Sequence, residues 1–338
     1  MDEGDYEEAF HYNERARAFE PLQLILQIQN IPRKFRRLTR NGEPMRLRDV
    51  QAELPPDTFI IEYCVLEDRT YAWVISRDEV EVLTLPAGRA EAERWSNDLQ
   101  DAAADRNAPV FVRHLTTPYA ELLEGPLAAV AAMPNNTMPR LVFVPDGGLH
   151  GLPFAALRNS MTGKHLVQDA VVSNAGSATL YVFSLLQDEA LSRDEPPTAL
   201  LIGNPAFDAQ FAHLGNLPGA ESEVRRIRAD YDDRAEVRIG AEATVHAFLD
   251  LAPKSTVVHV AAHAIANPVA PYRSMLLLAR SADRSGAIDA EELLTRLKLD
   301  RTKLVVLSTC KSAGGLPVGP EGVAPLVRPF LTAGVPAV

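Results

Sequence analysis

Residues 303–315 read KLVVLSTCKSAGG, and residues 256–268 read TVVHVAAHAIANP. Each opens on a short continuous run of β-branched and aliphatic residues, then breaks into small residues. Such runs mark strands buried on both faces. The first break carries Cys310 and the second His263. The same kind of run recurs as ALLIGNP at 199–205 and AEVRIG at 235–240. Between the runs lie amphipathic stretches. GAESEVRRIRADY sets Ala220, Val224, Ile227 and Tyr231 on one helical face, and TVHAFLDL starts at Thr244, a good N-cap. AEELLTRLK follows Asp289 and carries Glu292 in capping-box position. SMLLLARSADRSGAID at 274–289 has the pattern of a hairpin. Strands alternating with helices predict an α/β fold with a mainly parallel sheet flanked by helices.

Upstream of this series, DEPPTA at 194–199 is the best boundary, charged and then doubly proline. Before it, TFIIEYCVLED, RTYAWVISRD and EVEVLTLP predict three strands of an antiparallel meander. RAEAERWSNDLQDAAAD and TPYAELLEGPLAAVAAM predict helices, and RLVFVPDGG and DAVVSN two further strands. Residues 1–40 carry a helical stripe, Tyr6, Ala9, Phe10, Ala16, Phe19, Leu22, Ile25 and Ile28, expected to be interrupted at Pro21. A lone stripe needs a partner to cover it. Three segments are therefore expected: 1–45 as the helical end of something longer, 46–190 and 191–338. Val335–Val338 reads as a strand just beginning, so the last segment is expected to continue past residue 338.

Composition excludes several classes. The 338 residues carry a net charge of −11, and the one basic cluster, RKFRR at 33–37, is short. Direct nucleic-acid binding is not expected. No apolar run approaches ~18 residues, so no membrane span is predicted. The acidic N-terminus is the reverse of a signal peptide. Two cysteines make no disulfide framework, and a cytoplasmic setting follows as the expectation. Cys64 reads as a core cysteine. No Cys/His cluster has zinc spacing, and neither a metal nor a cofactor is predicted.

The chemistry points to His263 and Cys310. In open α/β sheets, active sites are built from loops leaving the carboxyl ends of strands. Cys310 follows His263 by 47 residues, room for a hairpin, a helix and a return strand beside the first. Neighbouring strands lie ~4.8 Å apart, so equivalent strand ends can bring thiol and imidazole together. A nearby imidazolium lowers a thiol from its ordinary ~8.5. Cys310 would then attack a carbonyl while His263 holds the proton. Backbone N–H groups of Ala264 and Cys310 are the candidate oxyanion donors. Small residues beside both positions, Ser308 among them, leave room for an extended peptide.

These segments together resemble the CHAT domain, a caspase-like peptidase domain related to separase and often attached to tetratricopeptide repeats. The resemblance runs in order through AFHYNERARAF, VQAELPPDTFIIEYCVLEDRTYAWVISRD, LVFVPDGGLHGLPFAAL, ALLIGNP, LPGAESEV, VVHVAAHA, SMLLL, LVVLSTCKSAGG, Glu321-Gly322 and FLTAGVPAV. It implies a non-catalytic caspase-like half near 46–190 and a catalytic half from about 191, with His263 and Cys310 as the catalytic pair. It also implies a protein substrate, and a sensor or regulatory protein acting through upstream repeats; some members are linked to bacterial defence. The sequence departs from the family at three places. Ala264 stands where glycine is usual. Cys310-Lys311-Ser312-Ala313 replaces Cys-Glu-Thr-Gly, and Lys311 would either favour a thiolate or be simply solvated. Gly203-Asn204-Pro205 replaces Gly-Asp-Pro, with Asn204 expected to border the pocket for the residue before the scissile bond.

Other residues weigh less. Asp146 and His150 in PDGGLHG read as a tight turn. His259 reads as a core or supporting histidine. The glycine-rich GGLPVGPEG lacks Gly-Lys-Ser/Thr and is no phosphate loop; it would line a substrate cleft, where Glu321 could meet a basic side chain, or be a plain surface loop. The expected function is a cysteine endopeptidase working through Cys310 and His263. The alternative, motivated by Ala264 and Lys311, is an inactive signalling or docking module of the same fold.

Overall fold

The computed structural model describes residues 3–27, 31–104, 108–134, 137–191, 195–267, 269–309 and 326–338. In chain order the helices are α1 (Glu3–Ile25), α2 (Arg33–Leu38), α3 (Leu47–Glu53), α4 (Arg89–Ala104), α5 (Ala108–His114), α6 (Thr116–Ala132), α7 (Ala178–Ala190), α8 (Pro218–Arg228), α9 (Val245–Leu251), α10 (Ala290–Arg296) and α11 (Arg328–Thr332). The strands are β1 (Thr58–Val65), β2 (Thr70–Ile75), β3 (Val80–Leu85), β4 (Arg140–Val144), β5 (Val171–Asn174), β6 (Ala199–Pro205), β7 (Ala235–Gly240), β8 (Val257–Ala261), β9 (His263–Ile265), β10 (Met275–Leu277), β11 (Ala287–Asp289) and β12 (Leu304–Ser308). The described residues of Met1–Leu22 and Leu38–Val182 form one unit. Those of Gln23–Arg37, Phe183–Gly314 and Val323–Val338 form the other.

The first unit holds a five-stranded sheet of order β3-β2-β1-β4-β5. The meander β1-β2-β3 is antiparallel, as its sequence predicts, whereas β1-β4 and β4-β5 are parallel. Alternation along β1 sends Phe59, Ile61 and Tyr63 into a core with Trp95 and Leu99 of α4 and Leu122 and Leu123 of α6. Glu62, pointing the other way, accepts a hydrogen bond from Asn13 of α1. The Phe10 ring of α1 meets Trp73 edge-on, with centroids 6.4 Å apart. Of the predicted α1 stripe, Phe10 and Leu22 are buried but Ala16 and Phe19 are exposed; the buried face of the helix carries Glu14, Arg17 and Ala18 instead, and Ile28 lies outside the described residues. The expected interruption at Pro21 does not occur: α1 runs through it to Ile25. The proline forfeits the bond to the Arg17 carbonyl, and the helix ends about one turn beyond it.

The second unit holds a four-stranded sheet of order β12-β8-β6-β7, parallel at every pairing. Leu200, Ile202, Val258, Val260 and Val305 face Phe248 of α9, Leu293 of α10 and Phe330 of α11. Ala199, Leu201 and Ala261 face Val224 of α8, with Ala220, Ile227 and Tyr231 packed alongside. Helices therefore cover both faces, and continuous hydrophobicity was the right signal for this sheet. Thr244 and Asp289 cap α9 and α10 as predicted, accepting from the N–H of Ala247 and Glu292. A three-stranded antiparallel sheet, β11-β10-β9, completes the unit. Among the described residues, no helix is long and apolar enough to cross a membrane.

Candidate active site

Strand order locates the crevice. From β6 the chain crosses through α8 to β7 on one side, while β8 pairs with the other side of β6. Connections leaving β6 and β8 at their carboxyl ends thus diverge, which is where open α/β sheets bind ligands. In register, Gly203 of β6 lies opposite Ala261 of β8, and Ala261 opposite Ser308 of β12. Asn204 follows the first of these by one residue and His263 the second by two. Cys310 follows Ser308 by two residues in sequence; Cys310, Lys311 and Glu321 lie outside the described residues.

His263 does not continue β8. The strand ends at Ala261, and His263 opens β9, pairing with Leu277 of β10. The sequence run alone reads as one strand, because Ala262 fits either. The imidazole is half-buried and held from two sides. Its Nε2 is 3.0 Å from the Gly215 carbonyl oxygen. The Phe207 ring lies at a centroid distance of 4.9 Å. A carbonyl can only accept, so Nε2 carries the proton and Nδ1 keeps the lone pair in the neutral ring. Gly215 has φ +75°, a left-handed value that side chains resist.

Ala264 sits opposite Leu276 in the β9-β10 ladder. The residues other than glycine with positive φ, among those described, are Asn41, Asn204 and Asp232. Alanine after the histidine therefore carries no left-handed strain. Ser308 is exposed at the tip of β12.

Asn204, expected at a substrate pocket, uses its side chain on the protein itself. Its Oδ1 accepts from the Leu217 N–H at 2.8 Å. His259 lies on the sheet face covered by α8, where its Nε2 is 2.9 Å from Glu223 Oε1. Burial lowers its pKa, and Glu223 opposes that shift. No group of three or more His, Cys, Asp and Glu side chains among the described residues is arranged to hold a metal.

Sequence reasoning missed Gly215 and Phe207, both in the connection after β6. The pair Gly215-Asn216 is a turn signal. What Gly215 contributes, however, is a backbone carbonyl, an atom every residue owns.

A family model described as CHAT domain matches residues 113–338 of the chain. No curated protein matches it. Among solved structures, the Saccharomyces cerevisiae separase–securin complex is similar at 10% identity and a TM-score of 0.43, over 86% of this chain and 26% of that one. The chain thus spans about a quarter of that protein's length.

Proposed function

Since the chain belongs to the CHAT domain family, we propose that it is a cysteine endopeptidase in which Cys310 is the nucleophile and His263 the base. The observation that carries this reading is the hydrogen bond from His263 Nε2 to the Gly215 carbonyl. It leaves Nδ1 as the acceptor for a thiol proton, on a ring fixed at a strand-end crevice. The match of offsets, His263 two residues past Ala261 and Cys310 two past its register partner Ser308, supports the pairing.

The chemistry follows in two halves. Nδ1 takes the thiol proton, and the thiolate adds to the peptide carbonyl carbon. The carbonyl dipole of Gly215, against Nε2–H, stabilises the imidazolium that forms. Backbone N–H groups of Ala264 and Cys310 serve the developing oxyanion. As the C–N bond breaks, the imidazolium returns the proton to the leaving amine. Water, deprotonated by the same nitrogen, then adds to the thioester, and the S–C bond breaks to release the acid. The substrate is a protein segment in extended form, cut in a cytoplasmic setting under the control of a regulatory protein or attached repeats. Glu321 meets a basic substrate side chain in this reading.

Cys310→Ala should leave the fold intact and reduce cleavage of an extended peptide library by at least about 10³-fold. A variant that still cuts at the parent rate would contradict the nucleophile assignment. A parent protein that cuts nothing, with Cys310 reacting as an ordinary thiol, would favour the inactive docking module instead.

A further inference from the structure

We propose that Asn204 is a positioning residue: its amide staples the connection between β6 and α8 so that the Gly215 carbonyl fixes the His263 ring. The inference deepens the peptidase reading and rests on it.

Four observations converge. First, β6 and β7 shift register between Gly203 and Pro205, which makes Asn204 the extra residue of a bulge. Bulges beside active sites re-aim a side chain. Second, Asn204 holds φ at +46°. Asparagine tolerates that conformation better than most residues, but an outlier persists only where its surroundings fix it.

Third, the amide oxygen is held by the far side of the connection. Oδ1 accepts from Leu217 N–H at 2.8 Å, one residue before α8 begins. Fourth, the residue held, Leu217, stands two positions from Gly215, whose carbonyl meets His263 Nε2. The remainder of the connection is braced locally. Ala206 N–H donates to the Gly240 carbonyl, and Gly215 N–H to that of Ala212. Asp208, near Arg280 at 3.9 Å, caps the short turn at Ala209–Leu214.

The chain of contact therefore runs from the tip of β6, through one side-chain amide, to the acceptor that decides which imidazole nitrogen keeps its lone pair. With the staple cut, Gly215 is free to leave the ring, and the Nδ1–H tautomer, which cannot accept the thiol proton, becomes accessible.

Three variants of the full chain test this. Asn204→Gly keeps the backbone freedom and removes the amide, so strain and staple are separated. Asn204→Ala removes both. Asn204→Asp removes the NH2 group and keeps an acceptor for Leu217 N–H. Nitrogen NMR of His263 reads the tautomer without any catalysis, and the pH profile of Cys310 carboxymethylation reads its consequence. In Asn204→Gly, amide protection of α8 should persist while the His263 signals move to a mixture of tautomers. Cys310 alkylation near pH 6.5 should slow by roughly tenfold, a fraction of the ~10²–10⁴ a positioned base supplies. Asn204→Asp should recover part of the loss. Unchanged His263 signals in Asn204→Gly with α8 intact would overturn the proposal. If His263→Ala itself leaves the Cys310 profile unchanged, the peptidase reading has failed, and the tautomer spectra still decide the role of Asn204.

Discussion

Burial pushes two titratable residues of the first unit in opposite directions. Glu62 is fully buried, and burial followed by the neighbouring Glu14 carboxylate raises its pKa well above the usual glutamate range. The folded chain holds this proton to higher pH than the unfolded chain, which releases it above about 4.5. Stability contributed by the neutral form is therefore lost as pH rises from that value. His150 behaves oppositely: burial, then Arg17, holds it down to about 4. It stays neutral when folded, while the unfolded chain takes a proton below 6.5. Stability then falls as pH drops from 6.5 towards 4, on the order of 3 kcal/mol in total. Both tryptophans, Trp73 and Trp95, lie in this unit, so their fluorescence reports its unfolding. Glu62→Gln should raise the urea midpoint at pH 8 and change it little at pH 4.5. His150→Gln should flatten the loss between pH 6.5 and 4. Midpoints that move by the same amount at every pH would contradict both assignments.

At the scale of elements, the site depends on how closely α8 lies on β6. Gly203 allows it: a Cβ there would stand 2.7 Å from Val224 Cγ2 and 2.9 Å from the Ala220 carbonyl oxygen. The second contact is backbone and cannot swing away. Gly203→Ala should cost about 1–3 kcal/mol. Hydrogen-exchange protection of the α8 amides should fall by a corresponding factor; unchanged protection would show that α8 yields easily. The helix face involved was readable beforehand, since Ala220, Val224, Ile227 and Tyr231 recur at helical spacing and all pack on the sheet. The hydrophobic runs likewise gave β6, β8 and β12, and the capping residues gave the starts of α9 and α10. Pro21 misled, because a proline costs a helix one bond and here α1 continues past it to Ile25. The break between β8 and β9 was hidden for a related reason: alanine at 261, 262 and 264 carries no side-chain information about where a ladder ends.

For the whole molecule, family and fold were legible because many short segments occurred in a consistent order, and the CHAT match over 113–338 agrees with them. Of the candidate pair, the residue types were legible, since side chains announce themselves in sequence; His263 stands two residues past the end of β8, as the first residue of β9. The groups that orient it, a carbonyl of Gly215 and an amide of Asn204, were not legible as such. The first is common to all residues, and the second, expected at the border of a substrate pocket, accepts from Leu217 N–H in its own loop. The central claim is that His263 activates Cys310. Its most direct test is the pH dependence of Cys310 carboxymethylation, followed by peptide mass analysis so that Cys64, whose thiol burial pushes up, is scored separately. The parent should react with a shoulder below pH 7, and His263→Ala should shift the profile to that of an ordinary thiol near about 8.5. Superimposable profiles would contradict the account.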